Sequence, residues 1–187
     1  MRLASLLLAG VSLLAASCGG EGGAAPSQPF GFASTQTGFA VKKAQRKVFT
    51  DGSLPLQNTG DRPVRIVDVE LEDGAPGLEL VGAMIAGLDR KVGTTQIIDE
   101  YPPRGADLGP LQEAKGFVIP AGPRYAGGGV ELLLGIRKTV PGRATRRAVV
   151  VTYEVNGKRG KARFGYTLAV CDPASVGECP QEFGDSG

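Results

Sequence analysis

Asp68, Glu70 and Glu72 stand at alternate positions of one short run. In an extended chain this spacing puts three carboxylates on one face, roughly 6.5 Å apart. Carboxylates at such separations hydrolyse glycosides when a cleft raises the pKa of one of them. A cluster of them can also hold calcium. A solvent-facing strand has the same pattern, and no cleft can be read here, so a solvated face is the preferred reading. A second constellation is basic. From Arg137 to Arg163 there are nine lysines and arginines against one acid, Glu154. Arg159, Lys161 and Arg163 alternate within it, with Arg146 on the expected partner strand, so the four would share an exposed basic face. Such a face suits anionic headgroups, acidic polymers or an acidic protein partner. The plainer reading is that lysine and arginine keep a sheet from pairing edge to edge. A third candidate is the aperiodic segment 99–113, where Tyr101 and Arg104 join a planar ring to a fork-shaped donor suited to partner contact. There the plainer reading is a crossover between sheets.

What the chain lacks removes most other chemistry. It has no histidine, which excludes Ser-His-Asp and Cys-His nucleophiles and the usual base near neutral pH. The same absence removes the common zinc and copper sites, so neither a metal nor a cofactor is expected. Gly127-Gly128-Gly129 precedes a strand, lacks a following Lys-Ser/Thr and opens no helix, so it is no phosphate loop. A Ser-Lys dyad is compatible with the composition, yet no serine stands in a recognisable motif. The formal net charge of +2 is not that of a globally basic nucleic-acid binder. Basic residues without interleaved surface aromatics argue against nucleic acid as well.

The N-terminus carries an address. Leu3 to Ala16 is apolar behind a single charge, Arg2. It is too short for a bilayer span, which needs about 20 residues, and it fits the apolar core of a secretory leader. The run Leu13-Leu14-Ala15-Ala16-Ser17-Cys18, followed by Gly19-Gly20, resembles the lipobox of bacterial lipoproteins, with Ala15 where leucine is commonest. The resemblance implies removal of residues 1–17, a diacylglycerol on the Cys18 sulfur, and an extracytoplasmic protein held to a bacterial membrane. Two or more acyl chains anchor stably where one does not. Gly19 is not the aspartate that retains many such proteins at the inner membrane, so which membrane is involved stays open. With Cys18 acylated, Cys171 and Cys179 remain as a pair. They enclose Asp172-Pro173 and Gly177, residues that favour a turn. A disulfide is expected in an oxidising compartment, contributing about 2–3 kcal/mol in the chain-entropy model. Two thiolates without histidine do not complete a zinc site.

The elements that must position these residues read as strands. Residues 18–40 form a tether rich in Gly, Ala, Ser and Pro, interrupted by Phe30, Phe32 and Phe39, which are expected to dock on the domain. Residues 41–171 form the domain, and 172–187 the disulfide loop and tail. In Val64 to Asp73, Val67, Val69 and Leu71 point one way and the three acids the other. Further strands are expected over Gly77–Ala86, Val92–Ile98, Phe117–Ile119 and Val130–Ile136. Asn156-Gly157 favours a two-residue type I′ turn. That turn sets Val155 opposite Lys158, Val151 opposite Ala162 and Val149 opposite Phe164, with Tyr166 extending the same apolar face. About seven or eight short strands without an amphipathic helix give an all-β, antiparallel β-sandwich. The run Asn58-Thr59-Gly60-Asp61-Arg62-Pro63-Val64 and its alternating strand are similar to the second hairpin of many bacterial immunoglobulin-like modules, which implies an immunoglobulin-like sandwich. The tryptophan and the inter-sheet cysteine pair of antibody domains are absent.

The functional expectation is a membrane-anchored lipoprotein displaying a non-enzymatic sandwich that interacts with envelope components. A polymer-cleaving enzyme using Asp68, Glu70 and Glu72 is the first alternative, and a small-ligand or ion-binding lipoprotein of a transport system the second.

Overall fold

A computed structural model of the chain describes residues 29–31, 37–72, 75–87, 97–105, 108–122, 129–174 and 179. The leader, Cys18, Phe32, Gly127, Gly128 and most of the expected tether and tail lie outside the described residues.

The Asn156-Gly157 turn organises the C-terminal half. Both residues have positive φ, 50° and 74°, as a type I′ turn requires. Strands Val149–Val155 and Lys158–Phe164 leave it in the expected register, with Val151 opposite Ala162 and Glu154 opposite Arg159. Val149, Val151, Tyr153, Ala162 and Phe164 are all buried. Gly160 faces Tyr153, and a methyl there would sit 2.6 Å from the tyrosine ring, so glycine makes room for the aromatic.

The strands among the described residues are β1 (Thr37–Lys42), β2 (Val48–Leu56), β3 (Val64–Leu71), β4 (Leu78–Ala86), β5 (Ile97–Ile98) and β6 (Leu111–Glu113), then β7 (Val118–Ile119), β8 (Val130–Lys138), β9 (Ala144–Arg146), β10 (Val149–Val155), β11 (Lys158–Phe164) and β12 (Tyr166–Cys171). They form three sheets in the orders β1-β12-β9, β11-β10-β3-β7 and β5-β2-β8-β4-β6. The strands outnumber the seven or eight expected because several are only two or three residues long. The fold is an all-β sandwich. One pairing departs from the expected antiparallel pattern: β1 runs parallel to β12.

A single apolar core joins the sheets. Phe49, Leu54 and Leu56 of β2, Leu132, Leu134 and Ile136 of β8, and Val149, Val151 and Tyr153 of β10 all belong to it. Phe30 docks on it as expected, 5.5 Å from the Tyr153 ring and 5.7 Å from Phe164. Phe39 packs against its margin. Folded structure therefore starts before residue 41, since β1 begins at Thr37 and Phe30 is bridged to Asn58.

Bulges reset the alternation at three places. In β3, Thr152 faces Asp68 while Tyr153 faces Ile66, so Val67 is an extra residue. Val64 and Ile66 therefore point inward before it, and Val69 and Leu71 after it. Val67, expected on the apolar face, is only half-buried. Similar shifts fall between Asp51 and Leu54 and between Leu80 and Gly82.

Candidate interaction face

The outer face of β11-β10-β3 brings together the two constellations that the sequence sets apart. The hairpin register places Arg159, Lys161 and Arg163 on the side away from the core, in line with Glu154, Thr152 and Val150 of β10. Beyond them in β3 lie Arg65, Asp68 and Glu70. Bases at one edge and acids two strands away are close enough for long side chains to meet diagonally. Lys161 Nζ donates to Glu70 Oε1 at 2.8 Å, and the Arg163 guanidinium engages both oxygens of Glu72, with Nη2 at 2.8 Å from Oε2. Arg159 lies 3.8 Å from Glu154.

These pairings decide the chemistry available to the acids. The Arg163 hydrogen bond holds the Glu72 carboxyl below its ordinary range, against a smaller opposing effect of burial, with the Arg163 and Arg147 charges acting the same way as the bond. A general acid needs the opposite shift. Glu70 likewise raises the pKa of Lys161, first through the hydrogen bond and then through its charge. The face is a lattice in which the cations of β11 engage carboxylates of the neighbouring strands, and it is not uniformly basic.

Arg146 is not part of it. Its expected place on the exposed basic face is corrected by the structure, in which Arg146 is only 1 % exposed. The alternation of β10 does not run on into β9: Val149 pairs with Phe164, but Arg146 pairs with Leu168 in another sheet. The break at Arg147 and Ala148 on one strand and at Gly165 on the other changes the phase by one residue, and that turns Arg146 inward. For the same reason Tyr166 opens β12 instead of extending the face of Phe164. Arg146 Nη1 donates to Asp51 Oδ2 at 2.7 Å, Nη2 to the Tyr166 carbonyl at 3.3 Å, and its guanidinium lies 5.5 Å from the Tyr166 ring centre. Its Nε is buried without a hydrogen-bond partner. Asp51 is 2 % exposed and shares the inward face of β2 with Phe49.

Sequence reasoning overlooked Asp51, although a signal was present, because it follows Phe49 at the apolar spacing of two. Lys138 carries a similar signal at the end of the Leu132, Leu134, Ile136 series. It is fully buried, and its Nζ donates to Asp172 Oδ1 at 2.5 Å. The Gly142 N–H donates to the other oxygen of Asp172 at 2.5 Å. The Lys138 bond, followed by the Gly142 bond, keeps the Asp172 carboxyl below its ordinary value. Asp172 adjoins Cys171, which is disulfide-bonded to Cys179 as expected.

The described start of segment 99–113 lies against the outer face of the β5-β2-β8-β4-β6 sheet. The Thr50 hydroxyl of β2 donates to the Glu100 carbonyl at 2.5 Å. The Tyr101 ring lies over Gly135 of β8 and Gly82 of β4, where added methyls would come within 2.6 and 2.5 Å of its atoms. Burial, with a smaller push from Glu113, raises the Tyr101 hydroxyl to about 12. Tyr101 thus fastens its segment to the sheet. Arg104 is exposed, and its backbone N–H donates to Glu100.

Among the described residues no group of three Cys, Asp or Glu is placed to hold a metal ion, and no helix is long and apolar enough to cross a membrane. Compared with known proteins, the chain matches no family model and no curated protein.

Proposed function

We propose that this protein is an extracytoplasmic lipoprotein, tethered to a bacterial membrane through Cys18, whose sandwich serves as a non-enzymatic interaction module. The observation that carries the reading is the pairing of cysteines. Cys171 and Cys179 are joined, which leaves Cys18 as the remaining thiol of three. It stands where an apolar leader ends in small residues, and a structural disulfide suits an oxidising compartment. The non-enzymatic part is supported by the carboxylates most suggestive of catalysis, because Glu70 and Glu72 are engaged by Lys161 and Arg163. The outer face of β11-β10-β3 is then a surface for recognition in which charge sets register and selectivity.

Mass spectrometry of the protein recovered from its native envelope tests the anchor. The expected N-terminal peptide begins at Cys18 and carries a diacylglyceryl group, and Cys18→Ala should yield unprocessed precursor or released protein. An unmodified mature N-terminus would reject the proposal.

A further inference from the structure

Most sheet edges among the described residues are too short to recruit another strand. β5 and β7 have two residues each, and β6 and β9 three. Short edge strands are a recognised protection against unwanted pairing. β11 is different. It has seven residues, lies at the end of its sheet, pairs with β10 without a register shift and contains no proline. Among the described residues its protection is charge alone, and Lys161 and Arg163, which also reach Glu70 and Glu72, stay more than half exposed.

The hairpin geometry assigns the backbone groups of this edge. A type I′ turn bonds the Val155 carbonyl to the Lys158 N–H, so Lys158 faces β10. Alternation then turns Gly160 and Ala162 toward β10, and the N–H and C=O of Arg159 and Lys161 away from it. Both of these residues with outward-facing backbone groups carry cationic side chains. Ala162, between Lys161 and Arg163, is buried and apolar. A second copy of β11 laid alongside would set lysine and arginine against lysine and arginine, which is repulsive. A strand with acids at the outer positions and small apolar residues between them would be attracted at each step.

We propose that the β11 edge accepts an extended acidic segment of a partner protein as an added antiparallel strand, with carboxylates set opposite Arg159 and Lys161. Main-chain bonds supply affinity and the alternating side chains supply selectivity. This deepens the interaction reading above and rests on it.

The test uses the purified full-length chain and a fluorescent, end-capped peptide of alternating glutamate and valine, followed by anisotropy. Saturable binding is expected. N-methylation of the peptide amides that would face β11 keeps its charge but removes its donors, and should weaken binding roughly tenfold or more. Lys161→Pro should weaken binding more than Lys161→Ala does, since proline removes an outward-facing donor without touching the β10 ladder. Equal affinity for methylated and unmethylated peptide would overturn strand addition in favour of plain charge attraction. So would binding to anionic lipid vesicles with none to the peptide. Absence of peptide binding would overturn it outright. The methylated-peptide comparison needs no variant, so a misfolded Lys161→Pro leaves the test intact. None of these readouts depends on acylation of Cys18, so their failure is separable from failure of the anchor.

Discussion

Arg146 and Arg163 lie in the same basic stretch, yet one is buried against Asp51 and the other extends over an exposed face toward Glu72. Residue type does not separate them; the phase of the alternation does. A one-residue change between β9 and β10 turns Arg146 toward the core, while the uninterrupted β10-β11 register keeps Arg163 outside. Two ion pairs of similar composition therefore differ in kind. The buried pair is costly to desolvate and costly to break, and the exposed one is screened and contributes little.

The largest test of that contrast is Arg146→Met. It leaves the Asp51 carboxylate buried without its guanidinium, and breaking a pair of this sort costs about 3–5 kcal/mol. Urea denaturation followed by a secondary-structure signal would measure it. The double variant Asp51→Leu/Arg146→Met should recover much of the loss, because apolar replacement of a whole buried pair is often neutral or better. If Arg146→Met were no more harmful than Arg163→Met, the two regions would not differ as described.

Next in size is the Tyr101 anchor, which sharpens the comparison by using an aromatic where the buried pair uses charge. Tyr101→Ala uncovers Gly82 and Gly135 and should cost about 2 kcal/mol, less than a fully enclosed aromatic because the ring is only half-buried. Gly135→Ala pushes a methyl into the same ring from below. The two substitutions should combine to less than their sum, since the second has nothing left to displace.

The parts of the fold visible in the sequence were those governed by local rules. Asn156-Gly157 dictates its turn, and a two-residue loop leaves one register in which Val149, Val151 and Tyr153 meet Phe164 and Ala162 on the same side. The apolar face of β8 and the alternation of β3 after Val67 were legible for the same reason. The bulge at Val67 and the break at Ala148 and Gly165 were not, because an inserted residue announces itself only through the partner strand it fails to match. Everything beyond such a break inherits the error, which is why alternation alone puts Arg146 and Tyr166 on the wrong faces. The candidate face was half legible: the acid row and the base row could each be read, but their mutual engagement depends on β3 and β11 flanking the same strand. Nothing local to either run specifies that arrangement.

Arg163→Ala should change stability by no more than about 0.5 kcal/mol, as exposed substitutions usually do. Removing that charge while keeping the strand intact would show how little of the fold depends on the outer lattice.

The smallest effect is also the most specific. Glu72 has a folded-state pKa below its ordinary value because of Arg163. A group of this kind contributes stability that is present above its unfolded pKa and is lost as pH falls through the folded one. Its contribution is therefore complete at neutral pH and disappears on the acid side. Glu72→Gln should then be slightly less stable than the parent at pH 7, and the two should converge as pH drops below the carboxylate range. Moderate salt should shrink the neutral-pH difference, since the Arg163 end of the pair is more than half exposed. A difference that persisted in acid and ignored salt would assign Glu72 a packing role, and the outer face would then resemble the buried pair more than its geometry allows.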